Sequence, residues 1–283
     1  MKKMTTKAKI RWFLLVAFLL WFAVAAAAIV SRDQGSSVDP IYPNAHASRF
    51  EQQVPFALYE GTVTAPEQRV SGALLPDPAT AGNAAAACFA TLAQSETGGP
   101  ILLIAFAEGV GTTPVTGSWP YQTSFGLVQS DDDLRARLTA HGVRLDDDLL
   151  ETCVSVGAAM SYSSYYLPEQ TVTPLVFDRA VDLTALAETL HALALPAETL
   201  VLVLPASGDD LLTVDSPTQL AGLLRAGDSY DLAPVLGADT ARAVAAAYLA
   251  LPAYTVPLSV SVLAEEGSSA RACDLLLLFG EEE

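Results

Sequence analysis

Short runs of apolar residues alternate along the chain with longer segments in which apolar and polar positions mix. Residues 101–106 and 200–204 are continuous apolar runs of strand length, which is typical of strands buried on both faces of a sheet. Apolar stretches bounded by turn residues predict further strands at residues 69–75, 172–177, 255–263 and 274–279. Most of these strands are separated by segments long enough to form a helix.

The intervening segments carry helix patterns and helix-start signals. Residues 130–133 (SDDD) and 146–148 (DDD) each open a helix, because a capping side chain and first-turn acids complement the helix dipole. The two Asp runs also resemble metal sites in composition, but helix starts account for them without a metal. Residues 215–217 (DSP) give another strong start. Further helices are predicted at residues 79–94, 182–192, 217–225 and 239–249.

Strands separated by helices of this length predict an α/β fold. We expect a single three-layer domain over residues 54–283, in which a central, mostly parallel (mixed) sheet is flanked by helices. The last two strands, joined by the loop at residues 264–272, are expected to form an antiparallel edge.

An uninterrupted apolar segment, residues 12–30, precedes this domain. At about 1.5 Å per residue it can just span a hydrocarbon core as a helix. Residues 1–11 are basic and are expected to stay in the cytoplasm, and residues 31–53 form a linker. We therefore expect a single-pass protein of the cell membrane whose domain is extracytoplasmic. The alternative is a signal peptide, cleaved near the small residues 25–28, and a secreted domain.

Charge is distributed unevenly between these parts. The first 30 residues hold five bases and no acid, whereas the rest of the chain holds ten Arg, no Lys and all 32 Asp and Glu. A surface this acidic repels phosphate backbones. Nucleic acid is therefore not expected as a partner.

Cysteine and histidine give no standard metal or hydrolase signature. Cys88, Cys153 and Cys273 form an odd set without metal-ligand spacing. One disulfide plus a free thiol is an alternative in an exported chain, but three buried small apolar residues are expected. His141 falls at a predicted helix end and His191 within a predicted helix. The chain contains no HExxH, no GxSxG and no phosphate-binding loop.

Five segments, taken in order, resemble the Memo-like family (AmmeMemoRadiSam system protein B), which is related in fold to class III extradiol dioxygenases. Residues 119–134 (WPYQTSFGLVQSDDDL) resemble the family's W-x-T-P-F-G segment, and residues 164–177 its Leu-Pro turn and following strand. Residues 70–87, 101–109 and 200–210 fall where the family has its P-H-H, P-N-H and S-x-D-F-S-H strand ends. The resemblance implies the family's α/β fold.

The departures from the family pattern lie at its site. In the family, histidines of these loops converge with nearby acids to hold a metal or form a redox-competent site at the carboxyl ends of the strands. Here the P-H-H, P-N-H, E-H-S-I and S-x-D-F-S-H positions contain no histidine. They are held by Asp77, Pro78, Glu108, Cys153, Val154, Ser207 and Asp210. Loss of imidazole, the ligand that iron or copper chemistry needs most, predicts a pseudoenzyme without a cofactor.

Acids replace three of the lost histidines. These are Asp77, Glu108 and Asp210, and Glu265 lies in the last loop, near the family's final site segment. If these side chains converge, their oxygens would suit Ca²⁺, Mg²⁺ or Mn²⁺ rather than a redox metal. Chance is the competing explanation, because acids are abundant in this domain.

Three functions therefore stand as hypotheses. The first is a membrane-tethered Memo-like domain without catalysis that binds an unknown protein or small molecule. The second is an enzyme with a remodelled carboxylate site for a hard cation. The third is a structural envelope domain whose pocket is filled by Phe106, Met160 and Tyr162. The family's turn further implies that Phe125 anchors its loop in the core.

Overall fold

The computed structural model describes residues 42–43, 68–95, 99–206, 237–252, 255–262 and 275–281. Its strands are β1 (Tyr42–Pro43), β2 (Val70–Leu74), β3 (Ile101–Ala107), β4 (Val115–Thr116), β5 (Tyr121–Thr123), β6 (Gly126–Val128), β7 (Arg144–Leu145), β8 (Val172–Asp178), β9 (Leu200–Val203), β10 (Thr255–Val262) and β11 (Leu275–Glu281). Its helices are α1 (Gly82–Ala93), α2 (Asp132–Ala140), α3 (Asp147–Thr152), α4 (Val154–Tyr166), α5 (Leu183–Leu193) and α6 (Ala238–Ala250).

The main sheet has the strand order β10-β11-β2-β9-β3-β8-β4-β7. Its centre is parallel, because β9 pairs with both β2 and β3, and β3 pairs with β8. β11 and β10 extend it antiparallel beyond β2, as predicted. β4 pairs antiparallel with β8 and parallel with β7, so the predicted loop after β3 contains a short strand, and β7 forms that edge of the sheet. The α/β class and the mostly parallel central sheet are confirmed.

Helices cover both faces of this sheet. Side chains of β3 alternate between two cores, because successive Cβ atoms of a strand point to opposite faces. Leu103 and Ala105 pack in the core that includes α1 and α4, whereas Leu102 and Ile104 pack in the core that includes α2, α5 and α6. A strand covered on both faces has no polar side, which explains its continuous apolar sequence.

Aspartates begin three of the helices, as the sequence predicts. Asp131, Asp146 and Asp182 each accept a hydrogen bond, 2.8 to 3.0 Å long, from the backbone amide three residues further on. The second Asp run opens only the six-residue α3, and Cys153 separates it from α4. Helix capping is therefore an observed role of both Asp runs.

The turn between β5 and β6 differs from the expectation. Phe125 is 39% exposed and meets the ring of Tyr165 edge-on, with the ring centroids 4.8 Å apart. The turn is held instead by Thr123, whose Oγ1 accepts the amides of Phe125 and Gly126 and lies 2.9 Å from Ser164 Oγ. The prediction that Phe125 anchors the loop in the core is wrong, because the hairpin contacts the core through Tyr121 and Val128, whereas Phe125 lies at its exposed turn.

None of the described helices has the length and apolar character needed to cross a membrane. The expected anchor at residues 12–30, the basic residues 1–11, most of the linker and the helix expected at residues 217–225 lie outside the described residues.

Candidate functional site

A cavity of about 290 Å³ lies where the parallel strands end. Its walls come from the carboxyl ends of β3 and β8, from Ala206 just after β9, and from the start of α4. Open α/β sheets bind ligands at this edge, because the loops there are free to vary while the strands hold them in place. We call this the carboxyl-edge cavity and treat it as the candidate site.

The family resemblance points to four groups of site positions, which are the P-H-H, P-N-H, E-H-S-I and S-x-D-F-S-H positions. Three of these groups lie at or next to this cavity. Glu108 follows β3, Cys153 and Val154 begin α4, and Ala206 directly precedes Ser207. Asp77 and Pro78 are not among its lining residues. Ser207, Asp210 and Glu265 lie outside the described residues.

Asp77 is committed to the turn that leads into α1. Its side chain is fully buried, and its carboxylate accepts hydrogen bonds from Ala79 N at 3.1 Å and Thr80 Oγ1 at 3.0 Å. Its carbonyl also accepts the amides of Thr80 and Ala81. This turn occupies residues 78–80, so α1 begins at Gly82, later than the predicted start at residue 79. Aspartate side chains commonly close such turns.

Glu108 lies at the exposed end of an ion-pair network. Its side chain is 84% exposed and lies 3.6 Å from Arg179 Nη1. Arg179 Nε donates to Asp239 Oδ2 at 2.9 Å, and Arg242 Nη1 donates to Asp239 Oδ1 at 2.9 Å. Arg179 was not predicted as a site residue. Its position directly after β8 could have indicated it, because ligands bind at the carboxyl ends of parallel strands.

Cys153 lines the cavity as a protonated thiol at neutral pH. Burial, followed by the nearby charge of Asp146, raises its pKa to about 11. A nucleophilic cysteine needs a lowered pKa, which a cation or a helix N-terminus usually provides. Cys153 precedes the first turn of α4, a position that can lower the pKa of a thiol, but here burial raises that pKa by more. Cys88 is fully buried, as expected, whereas Cys153 is only half-buried, and both are free cysteines. Cys273 lies outside the described residues.

Asp178 holds the loop that borders the site. Its carboxylate accepts hydrogen bonds from the amides of Ala180 at 2.9 Å and Gly111 at 3.0 Å. These bonds, with the one from Ala180 the largest contribution, lower the pKa of Asp178. Gly109 and Gly111 adopt φ values of +80° and +82°, which glycine tolerates best. The Gly-rich loop thus wraps around this carboxylate.

Two of the three residues expected to fill the pocket lie elsewhere. Phe106 does line the cavity. Tyr162 instead stacks on Phe89, with ring centroids 5.5 Å apart, and donates to Gly82 O at 3.1 Å. Met160 is fully buried in the core that includes α1 and α4. Both side chains pack α4 within the core, so the expectation that they fill the cavity is wrong.

Among the described residues, no three His, Cys, Asp or Glu side chains are grouped so that they could hold a metal ion. Compared with known proteins, the chain matches no family model and no curated protein.

Proposed function

We propose that this chain is an exported, membrane-tethered domain of the Memo-like kind that has lost catalysis and acts as a binding or structural module. The observation that carries the proposal is the composition of the carboxyl-edge cavity. Segments that hold histidines in the family meet there, and they present a solvent-exposed Glu108, a protonated Cys153 and an apolar Val154. These side chains offer neither an activated nucleophile nor a set of metal ligands.

The second candidate, an enzyme with a hard-cation site, requires four acids to converge. Asp77 bonds to its own turn, and Glu108 turns to solvent and Arg179. Asp210 and Glu265 lie outside the described residues, so their convergence stays a prediction. The first candidate is favoured because Asp77 is already satisfied by protein donors.

The proposed location rests on the sequence. The apolar residues 12–30 and the basic residues before them support a single crossing with the domain outside. Protease added to intact cells that produce the full chain is expected to degrade the domain and to spare the first 30 residues. Complete protection of the domain in intact cells, with cleavage after lysis, would contradict export.

Metal titration tests the loss of catalysis. Thermal unfolding of the full chain is measured in EDTA and then with Ca²⁺, Mg²⁺, Mn²⁺, Zn²⁺, Fe²⁺ or Cu²⁺, because a ligand of the native state raises the midpoint. No shift is expected with any of these ions. A shift with Ca²⁺, Mg²⁺ or Mn²⁺ that disappears in Asp210→Asn would favour the enzyme instead.

A gain-of-function variant tests whether the cavity corresponds to the family's site. Glu108→His with Val154→His restores two histidines at exposed positions, where they should not disturb folding. Zn²⁺ is expected to raise the midpoint of this double variant by about 5 °C at a hundred times its Kd. The matched control, Glu108→Gln with Val154→Ala, should not respond. No response of the double histidine variant would count against the resemblance.

A further inference from the structure

The hairpin of β5 and β6 presents apolar side chains to solvent. Phe125 is 39% exposed and Leu127 is 44% exposed, so two large hydrophobic side chains lie at the surface within three residues of each other. The ring of Tyr165, which is half-buried on α4, packs edge-on against Phe125 and extends this apolar surface toward the helix. We call Phe125, Leu127 and Tyr165 the hairpin patch.

The base of the hairpin is fixed in the core, and this holds the patch in place. Tyr121 and Val128 are paired across the two strands, and both are buried in the core that includes α1 and α4. Successive side chains of a strand point to opposite faces, so Leu127 points away from the core when Val128 points into it. The exposure of Leu127 therefore follows from the register of the hairpin, and a change of rotamer cannot bury this side chain.

The two segments that carry the patch contain no charged residue. Neither residues 109–130 nor residues 152–168 include Asp, Glu, Lys or Arg, although the chain after residue 30 holds ten Arg and all 32 acids. Acids adjoin these segments in the sequence at Asp131 and Glu169. An exposed apolar patch with a polar border is typical of a surface that contacts a membrane or another protein.

The position of β1 connects this patch to the membrane. β1 pairs with β5, and Tyr42 lies opposite Tyr121, so the chain joins the domain at the same small sheet as the hairpin. The apolar segment that is expected to cross the membrane ends at residue 30, and residues 31–41 connect it to β1. A connection of this length reaches about 40 Å when fully extended. A membrane-spanning segment at residues 12–30 would therefore keep the small sheet within that distance of the bilayer.

We propose that the hairpin patch docks on the bilayer that anchors the chain and inserts Phe125 and Leu127 between the lipid headgroups. This inference rests on the membrane tether of the proposed function. Aromatic and aliphatic side chains are favoured at this interface, and the uncharged patch avoids the cost of desolvating a charge. The tether makes docking an intramolecular event, so a small apolar contact suffices. Because the rest of the domain is acidic and is repelled by anionic lipid, the matching surface is a zwitterionic one.

NMR of the full chain in phosphatidylcholine nanodiscs tests the docking. The nanodiscs contain a small fraction of phosphatidylcholine with a nitroxide at the headgroup, which broadens the resonances of nearby groups. The leucine methyl signals of Leu127 are expected to be lost, and reduction of the nitroxide by ascorbate should restore them. Leu183 is the internal control, because it is 37% exposed but begins α5, on the opposite face of the main sheet. Its signals are expected to remain.

Two variants with matched exposure separate the patch from a general effect of surface charge. Phe125→Asp places a charge in the patch without changing the buried base of the hairpin, and it should restore the Leu127 signals in the presence of the nitroxide. Leu183→Asp adds the same charge on the opposite face and should leave the loss of the Leu127 signals unchanged. The remaining leucine methyl signals show that each variant is folded.

Three results would overturn the proposal. A full chain that does not enter the nanodiscs would remove the tether and the docking together. A chain that enters the nanodiscs, but whose Leu127 and Leu183 signals respond equally to the nitroxide, would refute the docking and leave the tether intact. Leu127 signals that shift as the number of chains per nanodisc rises, and that do not respond to the nitroxide, would identify a second copy of the chain as the occupant of the patch.

Discussion

The two edges of the parallel sheet carry cavities of similar size, about 290 Å³ at the carboxyl edge and about 270 Å³ at the amino edge, but of different polar chemistry. At the carboxyl edge, charged groups lie at the cavity and are partnered within the protein, as the chain of contacts from Glu108 through Arg179 to Asp239 shows. At the amino edge, where β2 and β9 begin, no Asp, Glu, Lys or Arg lines the cavity, and the Thr199 hydroxyl has no partner among the described residues.

This difference separates two features that are often used to locate a functional site, namely the position of a cavity in the fold and the presence of an unsatisfied polar group. The carboxyl edge has the position that α/β sheets use for ligands, yet its described groups satisfy one another. The amino edge lacks that position but retains an unmet hydrogen bond. The position of a cavity in the fold and the hydrogen bonding of the residues around it are therefore independent properties.

The largest effect is expected for the reactivity of Cys153. Because burial raises its pKa from 9.0 to about 11, its thiolate fraction at pH 8 should be about a hundredfold lower in the folded chain than in the unfolded chain. Alkylation by iodoacetamide, followed by peptide mapping, should be slower by that factor. Rapid alkylation of Cys153 in the folded chain would reveal an activated thiol at the carboxyl edge.

The next effect tests the ion-pair network. Asp239→Ala should lower the free energy of unfolding by about 2 kcal/mol, because two partly buried guanidinium groups would then lack their shared carboxylate. Glu108→Ala, at the exposed end of the network, should change it by less than about 0.5 kcal/mol. Urea unfolding measures both. Equal losses would mean that Glu108 is more constrained than its exposure indicates.

A smaller loss is expected at the turn before α1. Asp77→Ala should cost about 1 kcal/mol, because it removes an acceptor of two hydrogen bonds from a buried turn. Asp77→Asn keeps one acceptor oxygen and should cost less. If Asp77→Ala stabilised the chain, its carboxylate would be repelled by other acids rather than held by the turn.

The smallest effect concerns pH. Hydrogen bonds lower the pKa of Asp178 in the folded chain, so its contribution is full above the unfolded value of about 3.9 and is lost as pH falls through the folded value. Asp178→Asn should therefore flatten the dependence of the unfolding midpoint on pH below about 4. An unchanged slope would show that other carboxylates dominate acid unfolding.

Local sequence patterns were sufficient to predict most of the helices and strands and part of the candidate site. The apolar run of β3, the capping aspartates and the antiparallel last strands depend on neighbours along the chain, so they could be predicted. The exposure of Phe125 could not be predicted, because it depends on which side chains of the hairpin face the core in the folded chain.

Tertiary structure decided how individual polar groups are used. Arg179 and Asp239 are 60 residues apart in sequence, and only folding pairs them. Asp77 and Glu108 are both acids that follow strands of the main sheet, but one closes a turn and the other faces solvent. The sequence by itself determined the α/β class and the helix starts, because these are properties of composition and short-range order. Which hydroxyl stays unpaired and which charge finds a partner depends on distances between remote segments, and these exist only in the folded chain.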